Sequence, residues 1–287
     1  IEHAQRGVRD PRRQLRELPA FRALLRSVEA DFYQDLPMPR PVLDLGCGDG
    51  HFASVAFPAG LDVGMDPWWR PLRTARTRGR YDLLTCADGG AMPYPSGYFA
   101  TVISNSVLEH IPELAPVLSE VGRVLRPGGW FHFCVPGPNF RRYLSVARVL
   151  DALKLDRFAE AYRRLFDVIS RHHTYAPAAT WSQWLSKAGL SLKRWWTYFS
   201  PGALAALEWG HPLGAPSLVA KALTGRWLVV PARWNLRLTE ALLRRYYEEQ
   251  PSSEGEGAYL FVSARKPLRL GSRFGSETAP VRKPLEG

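Results

Sequence analysis

The sequence predicts an α/β fold, in which a mainly parallel β-sheet is covered by helices on both faces. Short apolar runs typical of buried strands alternate with stretches whose apolar residues recur every three to four positions. The first of these runs leads into a glycine-rich turn, "GCGDG", at residues 46–50. Strands that alternate with helices are joined by right-handed crossovers, which place parallel strands side by side in one sheet.

An N-terminal helical segment, residues 1–39, precedes this sheet. Helical spacing extends over residues 10–36. The apolar residues that carry it are Leu15, Leu18, Phe21, Leu24, Leu25, Val28 and Phe32. The pattern stops at "LPMPRP", because the three prolines of this stretch interrupt a helix.

The predicted core of the sheet comprises residues 40–137. Its strands are predicted at residues 42–45, 61–66, 81–86, 101–105 and 130–135. The helices between them are predicted at residues 50–57, 69–78 and 113–125. We expect the last of these helices to end at "RPGG", because proline and glycine stop helices.

Helical stretches dominate after residue 137. Residues 138–180 are predicted to be mostly helical, and residues 181–266 to complete the sheet with strands at 191–199 and 258–265. A long insertion at residues 200–250, rich in Trp, Leu, Arg and Lys, interrupts this second part. The basic tail at residues 267–287 is expected to be poorly ordered, since it is rich in Gly and Pro.

The net charge of +11 over 287 residues has two interpretations. It reflects either a preference for arginine in an ordinary enzyme or an anionic partner, such as a phosphorylated substrate, a membrane surface or nucleic acid. The three cysteines lie far apart, each in or just after a predicted buried strand, so we expect a reducing, cytoplasmic environment. No apolar stretch reaches the roughly 18–20 residues of a membrane span.

The glycine-rich turn distinguishes between kinds of nucleotide site. No Gly-Lys-Ser/Thr follows it, which excludes a P-loop, and His51 occupies the place of the third glycine of the dinucleotide fingerprint. What remains is Asp44 followed by Gly46, Gly48 and Gly50, and such glycines let the backbone approach a ligand closely. A tight strand-to-helix turn without a ligand is the alternative.

Two acidic residues, Asp66 and Asp88, favour a ligand-binding turn over a turn without a ligand. Asp66 ends the second predicted strand, where an acid can accept both hydroxyls of a ribose, and Asp88 follows the third strand. Ligands of open α/β sheets bind at the carboxyl ends of the parallel strands. The two acids and the glycine turn are therefore expected to lie together.

Five stretches resemble, in order and spacing, the motifs of class I S-adenosylmethionine-dependent methyltransferases, in the small-molecule branch of the ubiquinone and menaquinone biosynthesis enzymes. They are "VLDLGCGDG", "VGMDP", "ADGGAMPYPSGYF", "VISNSVLEHI" and "EVGRVLRPGGWFHFCVP". The resemblance is strong over residues 40–137 and weak beyond them. It implies a Rossmann-like, seven-stranded sheet with an antiparallel last strand, a helical lid at residues 138–180, and S-adenosylmethionine as cofactor with S-adenosylhomocysteine as product.

The resemblance also implies cofactor-binding roles for residues that follow the predicted strands. Asp66 would hold the ribose, and Asp88 with the Gly89 amide would contact the adenine edge. Asn105 would lie beneath the sulfur that carries the methyl group. The remaining positions, around the methionine end and the adenine face, are Asp44, Gly46, Cys47, Gly48, Gly50, Met65 and Pro67.

Methyl transfer from a sulfonium needs aligned partners, exclusion of water and, for a hydroxyl acceptor, removal of a proton. The candidate catalytic residues are Glu109 and His110 in "LEHI" and His173 in "RHHTY", with His172 and Tyr175 beside it. Each histidine has a structural alternative. His110 would then brace its loop, and the later histidines would be buried and bonded to the backbone.

The resemblance bears on a metal as well. In the quinone O-methyltransferases, a Glu-His pair and an acid three residues before the Glu bind a divalent metal. The earlier position is Ser106 in this sequence, so we expect no metal.

The sequence therefore predicts an enzyme that methylates a small molecule, at oxygen rather than at carbon or nitrogen, with a lipid-like, isoprenoid, glycan or secondary-metabolite acceptor. An RNA methyltransferase is an alternative, but the fourth strand lacks the Asn/Asp-Pro-Pro-aromatic motif and no RNA-binding module is evident, which argues against nucleic acid. A non-catalytic methyltransferase-like interaction module is a second alternative. Residues 200–250 either contact an anionic membrane peripherally or pack as a cap, and the oligomeric state stays open.

Overall fold

The structure is a computed structural model that describes residues 18, 20–213, 241, 243–252 and 255–268. The predictions for the first part of the N-terminal helix, for residues 214–240 of the insertion and for the tail beyond residue 268 lie outside the described residues. The strands are β1 (Val42–Leu45), β2 (Leu61–Asp66), β3 (Tyr81–Cys86), β4 (Phe99–Asn105), β5 (Leu125–Pro136), β6 (Ser191–Tyr198) and β7 (Tyr259–Arg265).

The described residues form one seven-stranded sheet with the strand order β3-β2-β1-β4-β5-β7-β6. Strands β1 to β5 pair in parallel. Strand β7 lies between β5 and β6 and is antiparallel to both. The predicted fold class, a mainly parallel sheet with an antiparallel last strand, is confirmed.

Helices lie along both faces of this sheet. They are α1 (Ala20–Phe32), α2 (His51–Ala56), α3 (Trp69–Arg78), α4 (Leu114–Val124), α5 (Phe140–Tyr143), α6 (Ser145–Ala152), α7 (Asp156–Ser170), α8 (Ala178–Lys187) and α9 (Pro201–Leu213). A short 3-10 turn, Leu108–His110, follows β4. Within the described part of the chain, no helix has the length and apolar character needed to cross a bilayer.

Each face of the sheet buries its own apolar cluster. One cluster joins α1, α5, α6, α7 and α9 to the sheet, and its members include Leu24, Phe140, Phe166 and Leu207. The other joins α4 and α8 to the opposite face, with Trp181 fully buried in it. The start of the insertion, α9, therefore packs on the body of the protein.

Three details of the sequence-based prediction need correction. Helix α1 ends at Phe32, before the prolines that were expected to stop it. The "RPGG" stretch belongs to β5, because Leu125 already pairs with Phe99 of β4. Cys86 is exposed and not in a buried strand, because β3 is the edge of the sheet, whereas Cys47 and Cys134 are buried.

Candidate functional site

The glycine turn after β1 folds back on the end of β2. The Met65 carbonyl accepts hydrogen bonds from the amides of Gly46 and Cys47, at 2.8 and 3.0 Å. A Cβ atom at Gly46 would lie 2.4 Å from Cγ1 of Val107, which follows β4. The residue at position 46 therefore has to be glycine for the turn to pack against the end of β4.

Substituting Gly46 by alanine is expected to destabilise the protein more than the same change at Gly48. Both residues have a left-handed backbone, with φ of +78° and +55°, so both substitutions carry about 1–2 kcal/mol of strain. Only Gly46→Ala adds a clash, which we expect to cost at least about 1 kcal/mol more, because a Cβ at Gly48 meets nothing within 4 Å. Urea unfolding of the two variants measures the difference, and equal losses would contradict it.

Asp66 closes the glycine turn at the end of β2. Its carboxylate accepts hydrogen bonds from the amide of Gly48 at 3.0 Å and from the amide of Trp68 at 2.9 Å. Burial raises the pKa of this carboxyl, while the two amides act in the opposite direction. A carboxylate offers about four acceptor positions, so two remain for the hydroxyls of a ligand.

Asp88 forms a second turn after β3. Its Oδ1 accepts a hydrogen bond from the Gly90 amide at 2.6 Å, which holds the carboxylate next to Gly89. Asp44, in contrast, is buried within β1, where the Tyr81 hydroxyl donates to its Oδ2 at 2.7 Å. Burial raises the pKa of Asp44 to about 7.

One cavity of about 1170 Å³ joins the carboxyl ends of the strands to the segment after α7. From the predicted cofactor-binding residues, it is lined by Gly46, Met65, Asp66, Pro67, Asp88 and Gly89. From the predicted catalytic region, it is lined by His110, His172 and His173. Single small-molecule pockets are typically about 300–1,000 Å³, so this cavity has room for more than one ligand.

Several predicted cofactor-binding residues lie beside this cavity and do not line it. They are Asp44, Cys47, Gly48, Gly50 and Asn105. The amide of Asn105 is engaged elsewhere, because its Nδ2 donates to Glu29 of α1 at 2.7 Å and its Oδ1 accepts from the Cys134 thiol at 2.9 Å. The predicted role of Asn105 beneath the methyl group stays a prediction, and the structure gives its side chain a different set of partners.

Glu29 is a residue that the sequence analysis missed. It is fully buried, and its carboxylate accepts four hydrogen bonds from side chains. The donors are Arg26 at 2.8 Å, Asn105 at 2.7 Å, Ser106 at 3.0 Å and Tyr198 at 3.0 Å. Glu29 thus ties α1 to the end of β4 and to β6, directly next to the cavity.

The 3-10 turn after β4 places His110 in the lining of the cavity, whereas Glu109 is buried and does not line it. His110 Nδ1 lies 3.0 Å from the Arg171 carbonyl. A carbonyl only accepts, so Nδ1 carries the proton and Nε2 carries the lone pair. Burial lowers the pKa of His110 below 6.5, which keeps the ring neutral at neutral pH. His173 is held through its backbone, since its amide donates to the Glu109 carbonyl at 2.7 Å.

Glu109 is buried beside His110. Its Oε1 lies 3.9 Å from Nε2 of His110, and its Oε2 has no hydrogen-bond partner among the described residues. Burial raises the pKa of Glu109 to about 8. Glu109, His110 and His172 each offer an atom within 4.8 Å of the others, a spacing that could hold a metal ion. His172 was named as a candidate beside His173, and the structure places it next to this pair; the expected absence of a metal stays a prediction.

The pKa of Glu109 makes stability depend on pH. Above its ordinary pKa of 4.5 the unfolded chain loses this proton, whereas the folded protein keeps it up to about pH 8, so stability falls as pH rises between these values. Glu109→Gln is expected to make that decline shallower, because glutamine does not ionise. Urea unfolding across this pH range measures the slope, with Glu113→Gln as an exposed control that leaves it unchanged. An unchanged slope in Glu109→Gln would refute the assignment.

Comparisons with known proteins agree with this geometry. Residues 43–133 match a family model described as a methyltransferase domain. The ubiquinone biosynthesis O-methyltransferase of Thiobacillus denitrificans is 34% identical over 113 residues, which cover 37% of this chain and 48% of that protein. An uncharacterized methyltransferase of Mycolicibacterium gilvum is 38% identical over 197 residues, which cover 65% of this chain and 66% of that protein.

A solved structure shares the fold over most of the chain. The crystal structure of a SAM-dependent methyltransferase from Thermotoga maritima aligns with a TM-score of 0.50 and 17% identity, covering 89% of this chain and 91% of that one. The chain spans about half the length of the named curated relatives it matches. The family model covers residues 43–133, which include the glycine turn, Asp66 and Asp88.

Proposed function

We propose that this chain, which belongs to the class I S-adenosylmethionine-dependent methyltransferases, transfers a methyl group to an oxygen of a small apolar acceptor. The observation that carries the proposal is the single cavity with two chemically different ends. One end has the glycine turn, Asp66 and Asp88, and the other has three histidines and the segment after α7. The O-methyltransferase among the relatives supports oxygen as the accepting atom.

The residues at the first end fit S-adenosylmethionine. The turn at Gly46 has no room for a side chain, so backbone and not Cβ faces the cavity there. Asp66 keeps acceptor positions for the ribose hydroxyls, and Asp88 with Gly89 offers an acceptor and an amide for the adenine edge. When bound, this cofactor supplies a methyl group on a positively charged sulfur, which is already activated for displacement.

His110 is the proposed proton acceptor for the acceptor's hydroxyl. Its Nδ1 proton is fixed on the Arg171 carbonyl, so the lone pair on Nε2 is available, and burial keeps the ring neutral. Glu109, whose Oε1 lies 3.9 Å from Nε2, keeps its own proton at neutral pH because burial raises its pKa to about 8, so the ring acquires its positive charge beside a neutral carboxyl. A positioned base of this kind contributes typically about 10²–10⁴-fold to a rate.

Aliphatic and charged side chains both line the acceptor end of the cavity, the latter including Arg22, Asp167 and Arg171. Val107 and Ile111 line the cavity after β4, whereas Val117 of α4 lies against Gly89 at the cofactor end. Val168 and Ile169, near the end of α7, line the acceptor end from the opposite side. The aliphatic part of this lining favours an acceptor with an apolar body, such as a lipid-like or isoprenoid compound, and the charged part can bind a polar group on the same acceptor.

Calorimetry with S-adenosylmethionine tests cofactor binding, and a screen of hydroxylated apolar compounds that measures S-adenosylhomocysteine tests transfer. We expect binding at micromolar cofactor and product formation with at least one apolar hydroxyl compound. Absence of binding at high micromolar cofactor would refute the proposal. Product formation only with amines or RNA would refute the assignment of the acceptor.

Asp66→Ala is expected to weaken the binding of S-adenosylmethionine by about 1–3 kcal/mol, or roughly 5- to 150-fold in Kd. The reason is the loss of the carboxylate that would accept the ribose hydroxyls. Calorimetry measures the change, and Asp82→Ala on the exposed edge strand β3 removes the same charge as a control. Unchanged affinity in Asp66→Ala would reject this role.

A further inference from the structure

The helical hairpin formed by α6 and α7 exposes a concentrated set of large apolar side chains. Among the described residues, seven of the fourteen exposed large apolar side chains fall between residues 149 and 169, each at least 41% exposed. They are Val149, Leu153, Leu155, Phe158, Leu165, Val168 and Ile169. We call these seven residues the hairpin surface.

The hairpin surface is directional on α7. Phe158, Leu165 and Ile169 are spaced by seven and four residues, so they lie on one side of the helix. Ala159 and Phe166 are buried on the side that faces the protein. The packing of α7 on the protein is therefore complete, and the exposed stripe is a second apolar face.

Basic side chains accompany this stripe. Arg157 and Arg164 are seven residues apart on one flank of α7, Arg171 follows the end of this helix, and Arg164 pairs with Glu160 at 3.3 Å. Next to α6, Arg142 and Arg148 line a small cavity of about 260 Å³. Within the described part of the chain, Arg142, Arg148, Arg157 and Arg171 form no ion pair with a carboxylate.

The hairpin surface is continuous with the main cavity. Val168 and Ile169 belong to both, and Arg171 lines the cavity beside them. The hairpin surface therefore ends at the acceptor end of the cavity. An apolar molecule could pass directly from one to the other at the end of α7.

We propose that the hairpin surface docks on a lipid bilayer that contains anionic phospholipids. Its aliphatic side chains would enter the boundary between headgroups and acyl chains, and the arginines would contact lipid phosphates. A stripe of aliphatic side chains with basic residues along its flank is typical of helices that lie in a membrane interface. The cores of protein interfaces are enriched in aromatic residues, and Phe158 is the one aromatic member of the hairpin surface.

Charge argues against two other occupants. A second copy of the chain would bring the same arginines to the same face. Residues 214–240 of the insertion carry Lys221, Arg226, Arg233 and Arg237 against one acid, Glu240, so they too would repel the arginines.

Docking itself does not depend on the proposed function. The entry of an apolar acceptor from the bilayer into the cavity does rest on it.

Co-sedimentation with vesicles tests the docking, without cofactor or acceptor, so that a failure of methyl transfer cannot affect it. The full chain is mixed at low salt with vesicles of phosphatidylcholine alone or of phosphatidylcholine with phosphatidylglycerol. We expect binding to the anionic vesicles to be at least about tenfold tighter and to weaken as salt rises. A wild-type protein that stays in the supernatant with anionic vesicles at low salt would overturn the proposal.

Paired variants separate the hairpin surface from charge in general. Arg157→Glu with Arg164→Glu is expected to weaken binding to anionic vesicles at least about tenfold. The control, Arg126→Glu with Lys187→Glu, changes the net charge equally at the start of β5 and on α8, and it should bind as the wild type does. Equal losses in the two pairs would overturn the proposal, because binding would then follow net charge alone.

Loss of the apolar side chains provides an independent measurement. Phe158→Ser with Leu165→Ser is expected to weaken vesicle binding about tenfold or more, whereas Leu83→Ser, an exposed leucine of β3, should leave it unchanged. Light scattering on the same proteins reports self-association. If the wild-type protein is a dimer and the Phe158→Ser, Leu165→Ser variant is a monomer, the surface is an interface between two copies and the proposal is overturned. Binding of the wild-type protein to an acidic protein, but not to anionic vesicles, would overturn it as well.

Discussion

Replacing Glu29 by alanine is expected to lower the free energy of unfolding by about 3–5 kcal/mol. The carboxylate is fully buried and accepts hydrogen bonds from four side chains, one of which is the guanidinium of Arg26. Its removal leaves the buried donors of Asn105 and Tyr198 without an acceptor, and it leaves the positive charge of Arg26 without this partner.

Urea or guanidinium unfolding measures this loss. Asp35→Ala serves as the control, because Asp35 is an exposed carboxylate just after α1 whose removal should change stability by no more than about 0.5 kcal/mol. Glu29→Gln should fall between the two, since glutamine fills the same space but loses the charge. A loss of less than about 1 kcal/mol in Glu29→Ala would mean that the network around Glu29 contributes little.

Glu29→Ala is also expected to disturb the part of the cavity that contains His110. Ser106 has a left-handed backbone with φ of +52°, and its hydroxyl donates to Glu29. The turn that carries Glu109 and His110 follows directly. An anchor lost at Ser106 therefore loosens the support of the proposed base, and a variant that survives purification should also lose turnover.

His110→Ala is expected to lower kcat by about 10²–10⁴-fold for a hydroxyl acceptor. The imidazole would receive the proton of the acceptor, while the bonds that hold the cofactor lie elsewhere in the cavity. Cofactor affinity, measured by calorimetry, should therefore change little. A large loss of cofactor affinity with normal turnover would contradict the role of His110 as a base.

The pH profile distinguishes a base from a structural role. Burial lowers the pKa of His110 below 6.5, so the reactive neutral form is lost only as pH falls below that value. The rate of the wild-type protein should decline on the acidic side of this pKa and stay level at neutral pH. His110→Asn should lose that decline together with most of its rate. If His173→Ala removed the decline instead, His173 would be the base.

The strands of the core were predictable because their signals are local. Residues 42–45, 61–66 and 81–86 were predicted as strands and are β1, β2 and β3. Glycines and prolines mark their ends within a few residues, and the carboxyl-end rule then places the glycine turn, Asp66 and Asp88 on one edge. All seven strands were predicted from their apolar runs, whereas the antiparallel direction of β7 came from the family resemblance, since direction has no local signal.

The partners of the site residues were not predictable in the same way. Glu29 lies in a helix with amphipathic spacing, where a glutamate would normally face solvent. It is buried because α1 lies across the end of β4, and only the tertiary arrangement determines that position. The bond between Tyr81 and Asp44 likewise joins β3 to β1 across β2, and no spacing along the chain indicates it.

The exposed hairpin surface shows a further limit of periodicity. Leu165 and Phe166 are neighbours in α7, yet the first is exposed and the second is buried. Apolar spacing identifies a helix, but it does not show which of two apolar faces packs on the rest of the protein. The sequence analysis accordingly placed its membrane hypothesis in residues 200–250, whereas the first helix of that insertion, α9, buries Ala203, Leu204 and Leu207.

The position of β7 has a consequence for how the protein is made. In the sheet, β6 pairs with β7 and with no other described strand. β7 also pairs with the edge of β5 that does not contact β4. During synthesis on the ribosome, β1 to β5 can assemble as they emerge, but β6 has no sheet partner until residues 259–265 leave the exit tunnel. Until then the open edge of β5 and the aromatic strand β6 are exposed to other nascent chains, and this interval is when the protein is most vulnerable to aggregation.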